Sequence, residues 1–119
     1  MIFLDETIRD AQADVVRQNA INGTLIIKSG QGQALVTLNM GPAPFNAPSG
    51  GGVSLASPKS GTAALTGKAT YFELFRSNST LMLRGSVGNA AGDVLLDSVN
   101  ITAGDTVNAN ALSYFVPPA

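Results

Sequence analysis

Apolar and polar positions along this chain change period once. Over residues 1–22, Leu4, Ile8, Ala11 and Val15 recur at steps of four, three and four, which marks one face of an α-helix. Val16 and Ala20 widen the stripe, while Arg9, Asp10, Asp14 and Arg17 lie largely off it. Asp5 and Glu6 sit where they complement the helix dipole. Asn22-Gly23 supplies a stop signal. The stripe is narrow and partly alanine, so two arrangements are open. The helix packs on the chain's own sheet, or it is an arm that docks on a neighbouring subunit.

From Gly23 onward the period is two. Thr24 to Lys28 and Ala34 to Met40 flank the turn Ser29-Gly-Gln-Gly32 and read as a hairpin. Residues 41–61 are rich in Gly, Pro, Ser and Ala and read as a long loop with a short strand around Val53 to Ala56. Phe45 is the one large apolar group in the first part of that loop. It either anchors the loop to the core or reaches a partner, and the cost of a lone exposed Phe favours the core. Thr66 to Arg76 carries Thr70, Phe72 and Leu74 on one side and Ala69, Tyr71, Glu73 and Phe75 on the other. Aromatics on both sides predict a central strand covered on both faces. Thr80 to Val87 follows, with Leu81, Leu83 and Val87 expected inward and Met82, Arg84 and Ser86 outward. In Asp93 to Ile101 the pattern slips between Leu96 and Val99, which predicts a bend or bulge. Thr106-Val107 and Ala111 to Val116 end the series before Pro117-Pro118.

Short strands with turn signals about every eight to twelve residues predict a β-sandwich. The expected fold is mainly β: one N-terminal α-helix over 1–22 and an antiparallel sandwich over 23–119, Ig-like or jelly-roll-like. It would have roughly seven or eight strands. At 119 residues the chain is read as a single domain.

Composition narrows the function classes. Charged residues make up 13% of the chain, about half the usual share, which leaves much neutral surface that is easy to desolvate against a partner. The net charge is −1 and the seven basic residues are scattered, so no basic stripe exists to neutralise a phosphate backbone or an anionic membrane. No apolar run is long enough to span a bilayer. Asp5 and Glu6 stand where a signal peptide would be basic and then apolar, which predicts assembly in a cytoplasm.

Histidine and cysteine are absent. That removes the usual general base, the usual triads and thiolate metal sites. Ser57, Lys59 and Ser60 are close in sequence but lie in a Pro/Gly-rich loop that would hold no geometry. Asp93, Asp97 and Asp105 could be read as a carboxylate pair for glycoside hydrolysis or, with Asn100, as calcium ligands. All three acids lie at or near turns, where Asp is common for local hydrogen bonding, and no EF-hand spacing is present. Gly30-x-Gly32 lacks the third glycine and the Lys-Ser/Thr of a phosphate loop. Glu73, Arg76 and Arg84 could pair across the sheet or serve as interface charges. The expectation is a protein without catalysis, cofactor or metal.

Several segments occur in a suggestive order: the N-terminal helix, Gly23-Thr-Leu-Ile-Ile-Lys-Ser-Gly30, a Gly/Pro/Ala-rich stretch, Gly67-Lys-Ala-Thr-Tyr-Phe-Glu-Leu-Phe-Arg-Ser77, Leu83-Arg-Gly-Ser-Val-Gly88, Asp93-Val-Leu-Leu-Asp97 and Ile101-Thr-Ala-Gly-Asp-Thr-Val107. This order resembles a widespread family of small tailed-bacteriophage proteins encoded among virion genes, over nearly the whole chain. That family often has a tryptophan near Tyr71; here Tyr71-Phe72 fills the place. The resemblance implies a virion protein. A capsid decoration (cement) protein bound to the major capsid protein comes first, and a tail, baseplate or fibre-associated protein with an attachment or carbohydrate-recognition role second. A decoration protein would reach its neighbours through the helix, the 41–61 loop and the C-terminal tail. The interface candidates are then Ile8, Val15, Phe45, Tyr114, Phe115, Pro117 and Pro118. Self-association is expected too, a trimer ahead of a dimer.

Overall fold

The computed structural model describes residues 6–48, 52–89 and 92–115. Among the described residues, helix α1 (Glu6–Asn19) precedes nine strands: β1 (Thr24–Ser29), β2 (Ala34–Asn39), β3 (Gly52–Ser54), β4 (Lys59–Thr62), β5 (Gly67–Phe75), β6 (Leu81–Gly88), β7 (Val94–Leu96), β8 (Asn100–Ile101) and β9 (Thr106–Phe115). The protein is mainly β with one helix, as its periodicity predicts.

The helix stops where the sequence places the stop. Asn22 takes the left-handed conformation (φ 57°), which asparagine tolerates, and the Gly23 N–H donates to the Ala20 carbonyl at 2.9 Å. Gly23 is required for a second reason: a Cβ there would lie 2.3 Å from the Phe75 carbonyl oxygen. The buried side of α1 is Ala13, Ala20 and the partly buried Val16, and the helix packs on β3. Ile8 and Val15 are 50% and 56% exposed. Of the predicted stripe, Val16 and Ala20 turn toward the sheet, while Ile8 and Val15 stay on the open side. The helix docks through small side chains, which let its backbone approach the core closely.

β1 and β2 form the expected hairpin, with Thr24 opposite Asn39 and Lys28 opposite Ala34. Gly32 supplies the left-handed turn position (φ 82°). From this hairpin the strand order runs β2-β1-β5-β6-β7-β9-β3, with β4 added to β9 and β8 to β5. At the β2 end, a Cβ on Gly61 would meet the Thr37 carbonyl oxygen at 2.7 Å. The Ala64 N–H also donates to the Leu35 carbonyl at 2.8 Å. The segment from β4 onward thus covers the β2 edge, and the sheet curls round on itself. This blunts an edge that would otherwise invite pairing with another chain.

The strands form one curled mixed sheet, where an antiparallel sandwich was expected. The parallel pair is β6 with β7, Val87 opposite Val94. The chain doubles back after Gly88, so that Asp93 returns beside Ser86: the Asp93 N–H donates to the Ser86 carbonyl (3.1 Å) and the Ser86 N–H to Asp93 Oδ2 (3.0 Å). Gly92 makes the return possible, since a Cβ on it would lie 2.9 Å from the Gly88 nitrogen. The slip between Leu96 and Val99 becomes a strand break: β7 pairs with β9 and β8 with the start of β5. The segments expected at 106–107 and 111–116 are one strand through Phe115, which meets β4, β7 and β3 in turn.

Leu25, Ile27, Leu35, Leu38, Leu74 and Leu112 fill the core and are fully buried. Phe45 joins them at 4% exposure, pinned by a bridge to Leu55. The loop residue thus anchors to the core and offers no surface to a partner.

Candidate interaction surface

Alternation along β1, β5 and β6 gives this part of the sheet two unlike faces. Inward go Leu25 and Ile27 from β1, paired with Leu74 and Phe72 from β5. Outward go Ile26 and Lys28, with Tyr71, Glu73 and Phe75, all only partly buried. The β5 alternation is reset at Thr70, where β1 passes from Tyr71 to Ala69 in a single step. Ala69 therefore joins the buried side with Phe72 and Leu74. Sequence alternation put Ala69 with Tyr71 and expected both faces covered. In the folded chain the Tyr71 face is open.

β6 completes the outer face. Its register sets Ser86 opposite Tyr71, Arg84 opposite Glu73 and Leu81 opposite Phe75, with a bulge between Leu74 and Phe75. The bulge corrects the expected orientation of the strand's start. Leu81 is 48% exposed, while Met82 and Leu83 are the residues that pack against the core.

The polar groups of this face are arranged with specific partners. Lys28 Nζ lies 2.5 Å from Glu73 Oε1. That bond, more than the opposing effect of burial, raises the Lys28 ammonium above its ordinary value. Arg84 lies cross-strand from Glu73 yet stacks on Tyr71, its guanidinium carbon 4.6 Å from the ring centroid. Among the described residues Arg84 makes no ion pair. Its guanidinium makes no hydrogen bond among the described residues, and it shares the outer face with Ile26, Phe75 and Leu81. Aromatic side chains and arginine in such a setting are the typical anchors of protein interfaces.

A second feature is a cleft of about 70 Å³ lined by Asp97, Ser98, Asn100, Ile101, Asp105, Thr106, Val107 and Asn108. This is well below the roughly 300 Å³ at which small-molecule sites begin. Both Asp97 oxygens are already taken, Oδ2 by the Asn108 amide (3.1 Å) and Oδ1 by the Asn110 amide (2.7 Å). These two bonds hold the Asp97 carboxyl below its ordinary value. Asp105 Oδ2 accepts the Thr102 N–H at 3.0 Å and closes a turn. Asp97, Asn100 and Asp105 thus meet at one cleft, while Asp93 is engaged with Ser86 at the start of β7. Among the described residues no three acids gather as a metal-binding group.

Ile8 and Val15 stand on the open side of α1. Tyr114 and Phe115 pair through their backbones with Val53 and Gly52. Pro117 and Pro118 lie outside the described residues. Sequence reading missed Ile26, Lys28, Tyr71, Phe75 and Leu81 as surface groups. The signal that pointed to them was the doubly aromatic alternation of β5.

Comparison with known proteins adds no relative: no family model, no curated protein and no solved structure matches this chain.

Proposed function

We propose that this chain is a structural protein of a tailed-bacteriophage particle, assembled in the host cytoplasm. In this reading it is a capsid decoration protein that binds the major capsid protein and stabilises the shell. The observation that supports a binding role is the outer face of β1, β5 and β6, where partly buried aromatic and apolar side chains and the exposed Leu81 share a surface with an arginine that has no ionic partner among the described residues. The resemblance of its segment order to small phage virion proteins suggests the particle as its setting. Low charge suits both, because a neutral surface is cheap to desolvate.

Binding at many equivalent sites stabilises a shell by mass action, since ligand bound to the assembled state and not to the burst state favours the former. The test is particles made without the chain. Their heads are expected to burst at lower temperature and to recover when purified chain is added back. Heads that burst at the same temperature with and without the chain contradict a cement role. A chain found at the tail moves the reading to an attachment part.

A further inference from the structure

We infer that the outer face of β5 and β6 is a two-fold interface between two copies of this chain. It gives the binding face of the proposed function to a second copy, so in the dimer a decoration role would leave the capsid contact to surfaces outside β5 and β6.

The outward cross-strand pairs are Glu73 with Arg84, Phe75 with Leu81 and Tyr71 with Ser86. Consider a two-fold axis running along the strands, midway between β5 and β6 and just above the face. It carries β5 of a second copy over β6 of the first while keeping every residue at its level along the strand. Each cross-strand pair then faces its own inverse. Glu73 faces Arg84 of the second copy and Arg84 faces Glu73. Phe75 faces Leu81, so the apolar groups also meet. Tyr71 faces Ser86.

The charges fit this operation. Lys28 occupies one Glu73 oxygen, Oε1, and among the described residues no other bond takes Oε2. Arg84 is preorganised on Tyr71 and lacks an ionic partner among the described residues. In the pair, each Glu73 would sit between its own Lys28 and the Arg84 of the other copy. This charged contact is opposite in sign and occurs twice.

The geometry is an ordinary one for sheets. Two identical faces packed about such an axis keep their strands aligned, the usual arrangement when sheets stack. Two-fold symmetry is also the commonest for homo-oligomers. The interface is about three strands wide, at the small end for specific association, so the dimer is expected to form reversibly with concentration. Of the two self-associations expected from the sequence, this face selects the dimer over the trimer.

Sedimentation equilibrium on the purified full chain, over a concentration series, tests this. Wild-type chain is expected to pass from monomer to dimer, and Arg84→Glu to weaken the dimer at least about tenfold, because Glu73 would then face a like charge. Glu73→Arg should do the same alone. An equimolar mixture of Arg84→Glu and Glu73→Arg chains should recover the dimer, since both facing pairs are again opposite in sign. Arg84 is exposed, so its variant keeps the fold; a native circular dichroism spectrum checks both variants. If Glu73→Arg does not fold, Leu81→Asp replaces it and should also favour the monomer. Wild-type chain that stays monomeric at millimolar concentration, forms a trimer, or dimerises equally well as Arg84→Glu overturns the inference.

Discussion

The two faces of β1, β5 and β6 are built from alternate residues of the same strands and do different work. Leu25, Ile27, Phe72 and Leu74 point into the curled sheet and are buried. Ile26, Lys28, Tyr71, Glu73 and Arg84 point away from it. The inner set is close-packed, so removing atoms there leaves a cavity. The outer set has few neighbours to lose, and its ordering comes from one ion pair and one stacked ring. Where aromatics occur on both sides of a strand, only one side need belong to the core. The other is partly exposed surface where aromatic side chains stand beside an arginine, a composition typical of contact sites.

Perturbing the inner face is expected to have the largest effect. Phe72→Ala or Leu74→Ala should lower unfolding stability by about 3–5 kcal/mol through lost burial and the cavity left behind, read by urea denaturation. Leu81→Ser on the outer face should stay within about 0.5 kcal/mol. A comparable loss at Leu81 would mean that this side also belongs to the core.

Next is Gly85, which lies on the inner side of β6 at the junction of the faces. A Cβ there would meet Asp93 Oδ2 at 2.6 Å and Phe72 Cε1 at 2.8 Å. Gly85→Ala is expected to cost about 1–3 kcal/mol, as overpacking does. The Ser86 amide should also lose hydrogen-exchange protection as Asp93 is pushed off. Unchanged protection would show that the β6–β7 return does not depend on that contact.

The outer face should instead respond to pH. Lys28 is raised above its ordinary value of 10.5 by Glu73. Its favourable pairing is therefore fully present below that value and is lost as pH climbs through the raised one. Glu73→Gln should return the Lys28 titration to the ordinary range, measured by nitrogen NMR of the side chain. A Lys28 titration unmoved by that substitution would remove the ion pair from the description of this face.

The smallest effect is expected at the cleft. Asp97 is held below its ordinary value of 3.8 by Asn108 and Asn110. Its contribution is present above that value and is lost as pH falls through the depressed one. Asn110→Ala should move the Asp97 carboxyl upward in a carbon NMR titration while leaving the outer face untouched.

Much of this fold was legible in the chain because local chemistry decides it. The Asn22-Gly23 stop, the Ser29–Gly32 turn, the anchoring of Phe45 and the break between Leu96 and Val99 all follow from residue type and period. What escaped the sequence depends on long-range closeness. Nothing local says that Gly61 will press against Thr37, or that Gly92 will let the chain return parallel to itself. The β5 reset at Thr70 and the β6 bulge ahead of Leu83 each shift a strand by one residue, and one residue reverses every side chain. That is why Leu81 was expected inside and Ala69 was grouped with Tyr71, whereas the Tyr71 face was expected covered because aromatics lie on both sides of β5. The α1 stripe left open which side would pack, and the sheet accepted the small Ala13 and Ala20 with Val16, leaving Ile8 and Val15 exposed. Of the surface now described, only Glu73 and Arg84 were legible as possible interface charges.

The most direct test of the decoration role is the number of copies in purified particles, by quantitative mass spectrometry with labelled imaging for position. The predicted result is on the order of hundreds of copies spread over the head, as symmetric coverage of a shell requires. About a dozen copies or fewer confined to the tail, too few for that symmetry, or none at all, would contradict it.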